Sequence, residues 1–202
     1  MTTSIDIGVL VSGGGSNLQA ILDACESGAV SGRVCFVGSD NPEAYGLERA
    51  KIHHIPTFVV DYKDLLRQYR ENPGHFPTPG NFDLATIRGR QSLFTQNHPR
   101  ETVDAFLRSR AMVEDRLLDE IQTRGCDLLV LAGFMRKLTP YFIDAFNQGA
   151  NPPKIMNIHP ALLPAFPGED GYGDTFRYGC KIGGCTVHFV DYGEDSGPII
   201  GQ

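Results

Sequence analysis

The stretch IDIGVLVSGGGSNLQAILDACESG, from Ile5 to Gly28, joins an apolar run to a glycine-rich turn and then to a segment with helical spacing. The run IDIGVLVS, from Ile5 to Ser12, predicts a short buried strand, and the leucines and alanines after the turn predict a helix. The chain then repeats the pattern, because GRVCFVGSD predicts a second strand, EAYGLERAKIHH a second helix and PTFVVD a third strand. Such alternation predicts an α/β fold with a doubly wound, mostly parallel sheet and helices on both faces.

The alternation is interrupted between Glu71 and about Arg100. This stretch holds four prolines and three glycines and shows no sustained periodicity, so we interpret it as a long insertion. A lid, an oligomer contact and a mobile excursion are all open interpretations of it. After it, AMVEDRLLDEIQTRG predicts a helix ending near Gly125 and CDLLVLAGF a buried strand. TPYFIDAFNQG predicts a helix capped by Thr139, and KIMNIHP and GCTVHFVD predict two more strands.

Length, composition and charge limit the classes of protein to which this chain can belong. The chain has 202 residues, 41% of them apolar, and a formal charge of -6, which predicts one domain over residues 1–202 and no nucleic-acid or membrane surface. Five cysteines without a CxxC pair, and histidines without ligand spacing, predict neither disulfides nor a metal site. No leader or membrane span is evident, so the expected location is cytoplasmic. Monomer and homodimer both stay open.

The turn VSGGGSNLQ carries the first chemical signal. A glycine-rich turn between a strand and a helix presents backbone N–H groups at the positive end of the helix dipole, where an anion binds. The dinucleotide fingerprint would need a glycine in place of Leu18, and no Gly-Lys-Ser or Gly-Lys-Thr follows, so a monophosphate is the expected ligand. Ser16 and Asn17 would complete the anion site or cap the helix. A tight turn that needs glycine only for its backbone angles is the alternative.

Two further segments supply polar side chains. In MNIHP the period of two places Asn157 and His159 on the same face of a strand, at the strand end where doubly wound sheets bind ligands. An amide and an imidazole there can both reach one developing oxyanion. VDYGEDSGP bends around Asp195, whose carboxylate would stabilise a charged imidazole. Packing of the histidine and a solvated surface turn are the alternatives for these two segments.

Taken in order, the blocks VSGGGSNLQAILDAC, AYGLERA, LVLAGFMRKLTP, NIHPALLPAFPG and GCTVHFVDYGEDSGPIIGQ resemble the glycinamide ribonucleotide formyltransferases. These are folate-dependent enzymes of de novo purine biosynthesis with a Rossmann-like formyltransferase fold. Methionyl-tRNA formyltransferases and formyltetrahydrofolate deformylases are similar around Asn157 and His159 but lack the GGGSN turn at this place. The resemblance therefore implies transfer of a formyl group from 10-formyltetrahydrofolate to the amine of 5-phosphoribosylglycinamide.

The resemblance also implies roles for individual residues. The catalytic residues would be Asn157, His159 and Asp195, and the phosphate would bind at Gly15, Ser16 and Asn17. The folate side would be formed by Arg110, Met135, Arg136, Lys137, Leu138 and Asn157. No metal is implied.

The sequence departs from the family pattern in three places. The insertion at about 71–100 is extra, the loop at 169–179 lacks the usual histidine, and the family's C-terminal segment is absent after Gln202. Two rival hypotheses follow. One is a non-catalytic protein that binds a phosphorylated ligand or folate, and the other is a formyltetrahydrofolate hydrolase that releases formate to water.

Overall fold

A computed structural model describes residues 4–202, which form one continuous seven-stranded sheet in the order β3-β2-β1-β4-β5-β6-β7. Strands β1 to β5 run parallel to one another, whereas β6 pairs antiparallel with β5 and β7 pairs antiparallel with β6. The strands are β1 (Ile5–Val11), β2 (Gly32–Ser39), β3 (Thr57–Val59), β4 (Leu128–Leu131), β5 (Ile155–His159), β6 (Thr186–Phe189) and β7 (Ile199–Gly201). The predicted mostly parallel α/β sheet is confirmed.

Helices cover both faces of the sheet, as the alternation predicts. The helices are α1 (Ser16–Glu26), α2 (Tyr45–Ile52), α3 (Tyr62–Glu71), α4 (Leu84–Arg90), α5 (Arg100–Arg124), α6 (Pro140–Asn147) and α7 (Gly171–Tyr178). Apolar residues of α1 and α2 pack on one face, and those of α3, α5 and α6 pack on the other, so the sheet separates two hydrophobic clusters. Within residues 4–202, no helix combines the length and the apolar character that crossing a bilayer requires.

The sheet order changes direction between β1 and β4, and this point locates a crevice at the carboxyl ends of the strands. The loops that leave these two strands are joined there. The Ser12 N–H donates to the Gly133 carbonyl at 3.0 Å, and the Met135 N–H donates to the Ser12 hydroxyl at 2.8 Å. The turn after β1 and the loop after β4 therefore form adjacent walls of one opening.

The segment 71–100 contains more regular structure than its sequence predicts. Helix α4 lies within it, and α5 begins already at Arg100. Asp83 caps α4 by accepting from the N–H groups of Ala85 and Thr86, and Ile87 is buried against α5 and its neighbours. A seven-residue helix offers too few turns for a periodic signal, which explains why the sequence pattern missed it.

Helix α6 begins at Pro140 with Thr139 as its N-cap, as predicted, but the threonine side chain does not cap the helix. Its hydroxyl donates instead to the buried carboxyl group of Glu114 on α5, at 2.5 Å, and its N–H donates to the same group at 2.8 Å. These bonds attach the end of the loop after β4 to α5. Because that loop lines the crevice, the contact fixes one of its walls.

Candidate active site

Strand β5 carries two of the predicted catalytic residues, and the loop after β6 brings the third to them. Asp195 lies 38 positions beyond Asn157, yet Asn157 Nδ2 donates to Asp195 Oδ1 at 3.3 Å. His159 Nδ1 lies 3.2 Å from Asp195 Oδ2. The Gly168 N–H also donates to Oδ2, at 2.8 Å. The structure therefore brings the three predicted residues together, with Asn157 and His159 both in contact with the Asp195 carboxylate.

His188 on β6 is a fourth member that the sequence interpretation missed. The antiparallel register pairs His188 with Asn157, so that His188 Nε2 lies 3.2 Å from Asn157 Nδ2 and 3.6 Å from Asp195 Oδ1. Burial acts to lower the pKa of His188, but the Asp195 carboxylate and the Phe189 carbonyl outweigh it, and the pKa is raised. The alternation in TVHF was the available signal, because it places Thr186 and His188 on one face.

The pKa of Asp195 is shifted in the opposite direction to that of His188. Burial acts to raise its pKa, whereas the contacts with His188, the Gly168 N–H and the charge of His159 lower it, and the lowering prevails. Asp195 therefore stays ionised in a largely enclosed position. Its backbone is left-handed, with φ of 51°, a conformation that costs a non-glycine residue about 1–3 kcal/mol and persists only where surrounding contacts hold it.

The His159 ring is only 2% exposed, and both of its nitrogens have partners. Nδ1 faces Asp195, and Nε2 donates to the Phe166 carbonyl at 2.7 Å. Phe166 is also left-handed, with φ of 56°. Two of the four non-glycine residues with positive φ among residues 4–202 thus lie at this one site, Phe166 and Asp195, which is where functional strain is expected.

The glycine-rich turn is supported from below by α2. Gly15 has φ of 69°, and a Cβ atom there would lie 2.7 Å from the Gly46 Cα atom, so the close approach needs glycine. The Gly46 N–H donates to the Gly13 carbonyl at 2.9 Å, and Arg49 Nε donates to the Gly14 carbonyl at 2.9 Å. The carbonyls of Gly13 and Gly14 are thus bound by α2, and the first residues of α1 lie at the crevice.

The crevice is a cleft of about 380 Å³ that connects the turn to the histidine–carboxylate cluster. Ser16 and Asn17 line one end, and Asn157, His159 and Asp195 line another part of it. This volume lies within the usual range for small-molecule sites. The arrangement gives one ligand simultaneous access to a helix N-terminus and to a cluster of proton donors and acceptors.

The predicted folate-side residues divide into two groups. Met135, Arg136, Lys137 and Leu138 line the cleft; Arg136 pairs with the buried Asp40, and Lys137 Nζ lies 2.7 Å from Glu194. Arg110 does not line the cleft, because its guanidinium lies over the rings of Tyr62 and Phe106. Gly15 is likewise not among the residues that line the cleft, whereas its neighbours Ser16 and Asn17 are.

No set of three or more His, Cys, Asp or Glu side chains within residues 4–202 is arranged to hold a metal ion. The two histidines of the cluster instead face the Asp195 carboxylate, at 3.2 Å from His159 and 3.6 Å from His188.

The chain is similar to a known protein family and to solved structures. The formyl transferase family matches residues 5–202. The phosphoribosylglycinamide formyltransferase of Bacillus subtilis is 32% identical over 96% of this chain and 75% of its own length. That of Escherichia coli is 33% identical over 98% of this chain and 71% of its own length. The crystal structure of glycinamide ribonucleotide transformylase 1 from Symbiobacterium toebii has a TM-score of 0.69 and 37% identity, and the match covers 100% of this chain and 73% of that one. The chain belongs to the formyl transferase family.

Proposed function

We propose that this protein transfers the formyl group of 10-formyltetrahydrofolate to the amine of 5-phosphoribosylglycinamide, a step of de novo purine biosynthesis. Relatives named for this activity are 32–35% identical to the chain, including the Bacillus subtilis and Haemophilus influenzae enzymes. The proposal rests on one observation: the same cleft is lined by the N-terminus of α1 and by the cluster around Asp195. A phosphorylated amine and a formyl donor must meet in such a space.

Asn157 is assigned to the oxyanion that forms when the amine attacks the formyl carbon. One hydrogen of its amide nitrogen is donated to Asp195. The other points toward His188 Nε2, while His188 Nδ1 lies 2.9 Å from the Phe189 carbonyl and therefore carries a hydrogen. A protonated His188 cannot accept at Nε2. Protonation of His188 thus releases the second Asn157 hydrogen for the oxyanion.

His159 is assigned as the second donor to the oxyanion. Its Nε2 hydrogen is held by the Phe166 carbonyl in this structure, so the ring must exchange that acceptor for the substrate oxygen. Asp195 holds Nδ1 during the exchange. The attacking amine loses a proton as the new C–N bond forms, and the departing folate nitrogen gains one. A water held by Asp195 and His159 can carry this proton.

The two substrates are assigned to different parts of the cleft. The phosphate is assigned to the turn at Gly15, Ser16 and Asn17, where α1 directs its N-terminus. The folate is assigned to the wall Met135–Leu138, with Asn157 at the reacting end. Arg110 is assigned to the same ligand, although it stacks on Tyr62 and Phe106 in this structure. Arg110 must rotate away from its aromatic neighbours to reach the folate.

A steady-state assay with both substrates tests the proposal. Purified protein should convert phosphoribosylglycinamide to its N-formyl product at a rate that saturates with each substrate. Two controls separate the rival functions: an acceptor without the phosphate should react poorly, and formate should not appear when the acceptor is omitted. Binding of both substrates by calorimetry without turnover would reject transfer, and formate release without acceptor would establish a hydrolase.

A further inference from the structure

The loop that carries Asp195 depends on contacts from outside itself. Within the loop, Asp191 Oδ1 accepts from the Gly193 N–H at 3.1 Å and from the Ser196 hydroxyl at 2.7 Å. These local bonds shape the turn, but they do not attach it to the rest of the protein. Because Asp195 is left-handed, the loop needs such attachment to hold its carboxylate between two histidines.

Two such attachments meet at Tyr192. Its carbonyl accepts from the Ser92 N–H at 2.9 Å, and its hydroxyl donates to Asp144 Oδ1 on α6 at 2.5 Å. The other oxygen of Asp144 accepts from Arg90 Nη1 at 2.6 Å.

Both Arg90 and Ser92 lie at the end of α4, and α4 is itself anchored in the core. Ile87 is buried, and Arg88 forms a two-contact ion pair with Asp104 of α5, at 2.7 and 2.9 Å. Arg88 and Asp104 are both largely shielded from solvent. The contacts on Tyr192 therefore connect the Asp195 loop to a fixed part of the molecule.

We propose that residues 90–92 act as a positioning element for the catalytic site, holding Tyr192 by its carbonyl and its hydroxyl so that Asp195 stays between His159 and His188. The inference deepens the proposed function, because it rests on the catalytic assignment of Asp195. It also gives the segment 71–100 a specific role, which differs from the lid, the oligomer contact and the mobile excursion that the sequence left open.

The contacts differ in strength. Arg90 is half exposed, so solvent screens its pairing with Asp144, and the guanidinium mainly orients the carboxylate. The bond from Tyr192 to Asp144 raises the pKa of the tyrosine, which keeps the hydroxyl protonated as a donor. The Ser92 N–H is a backbone donor whose direction is set by the end of α4. Loss of the Ser92 or Tyr192 contact should therefore matter more than loss of Arg90.

The first test removes the Ser92 N–H with a matched control. Ser92→Pro deletes this donor, and Gln91, with φ of -66° and ψ of 143°, already has the conformation that a residue before proline adopts. Ser92→Ala keeps the N–H. We expect kcat of formyl transfer to fall about tenfold in Ser92→Pro with both KM values within about twofold, and Ser92→Ala to resemble wild type.

The second test reads the position of Asp195 without an activity measurement. The ring of His188 is titrated by NMR in ligand-free protein; the charges that face it are Asp195 and Asp191, with His159 across the shared carboxylate. Ser92→Pro and Tyr192→Phe should displace Asp195, so the midpoint of the His188 titration should be lower in these variants than in wild type. Ser92→Ala should keep Asp195 in place and the midpoint unchanged. If Ser92→Pro does not fold, Tyr192→Phe decides the question alone.

The two readouts separate the two hypotheses. Wild-type kcat and an unmoved His188 midpoint in a folded Tyr192→Phe variant would overturn the positioning role. If wild-type protein transfers no formyl group, the proposed function fails, and the NMR midpoints still decide whether residues 90–92 position Asp195. A lowered midpoint in Tyr192→Phe, with Ser92→Ala unchanged, supports the positioning role in either case.

Discussion

Asp195→Asn removes one negative charge from the centre of the site while keeping the shape of the side chain. In wild type the Gly168 N–H donates to the Asp195 carboxylate at 2.8 Å, and the side-chain oxygen of an asparagine can still accept this bond. It loses the charge that faces His159 at 3.2 Å and His188 at 3.6 Å. Because the variant keeps a loop contact and changes the electrostatics, its effect reports on the charge.

The expected size follows from these two contacts. A hydrogen bond to a charged group contributes about 1.5–3 kcal/mol, roughly twice a neutral one. The difference at one ring is about 1.4 kcal/mol, which corresponds to a tenfold change in rate, and loss at both rings corresponds to about a hundredfold. We therefore expect kcat of Asp195→Asn to fall about 10- to 100-fold, with the KM of the phosphorylated substrate little changed.

The pH dependence of kcat/KM provides the sharper assay. In wild type the carboxylate raises the pKa of His188, so the protonated ring persists to higher pH. Without the charge, burial prevails and lowers that pKa, so activity that needs the protonated ring should be lost at lower pH in the variant. A wild-type profile and an undiminished kcat in Asp195→Asn would refute the pairing of this carboxylate with the two histidines.

Two further predictions concern groups outside this cluster. Burial raises the pKa of Glu114 from 4.5 to about 7, so the folded state holds a proton that the unfolded state releases, and stability falls as pH rises between these values. Relative to Glu114→Gln, wild type should lose about 3 kcal/mol of unfolding free energy between pH 4.5 and 7.5 in urea titrations, and parallel curves would contradict this. Gly15→Ala places a Cβ atom 2.7 Å from the Gly46 Cα atom. It should raise the KM of the phosphorylated substrate about tenfold or more through strain of about 1–3 kcal/mol, whereas unchanged KM with a folded variant would count against the phosphate assignment.

Local sequence patterns predicted the parts of the site that depend on one segment. The apolar run before the glycines predicted β1, and the period of two in MNIHP placed Asn157 and His159 on one face of β5. The loops at the carboxyl ends of parallel strands meet at one edge of a sheet, which made the convergence of these segments predictable. The cleft follows from the same topology.

Features that depend on pairing between distant segments were not predictable in this way. His188 joins the site because β6 pairs antiparallel to β5 with His188 opposite Asn157, and register between strands is not encoded in either strand alone. The short helix α4 likewise depends on the Asp83 cap and on burial of Ile87 by α5, a tertiary contact. Arg110 was assigned by resemblance, and its stacking on Tyr62 and Phe106 involves a third element that the pattern did not address.

The central claim is that His159 acts on the reacting carbon and does not merely bind ligand or support the fold. His159→Ala tests it most directly, with kcat measured by formyl transfer and the Kd of phosphoribosylglycinamide measured by calorimetry on the same preparation. We expect kcat to fall about 10²- to 10³-fold while Kd stays within about twofold of the wild-type value. Wild-type kcat in the folded variant would contradict it, and so would a loss of binding large enough to explain the lost turnover.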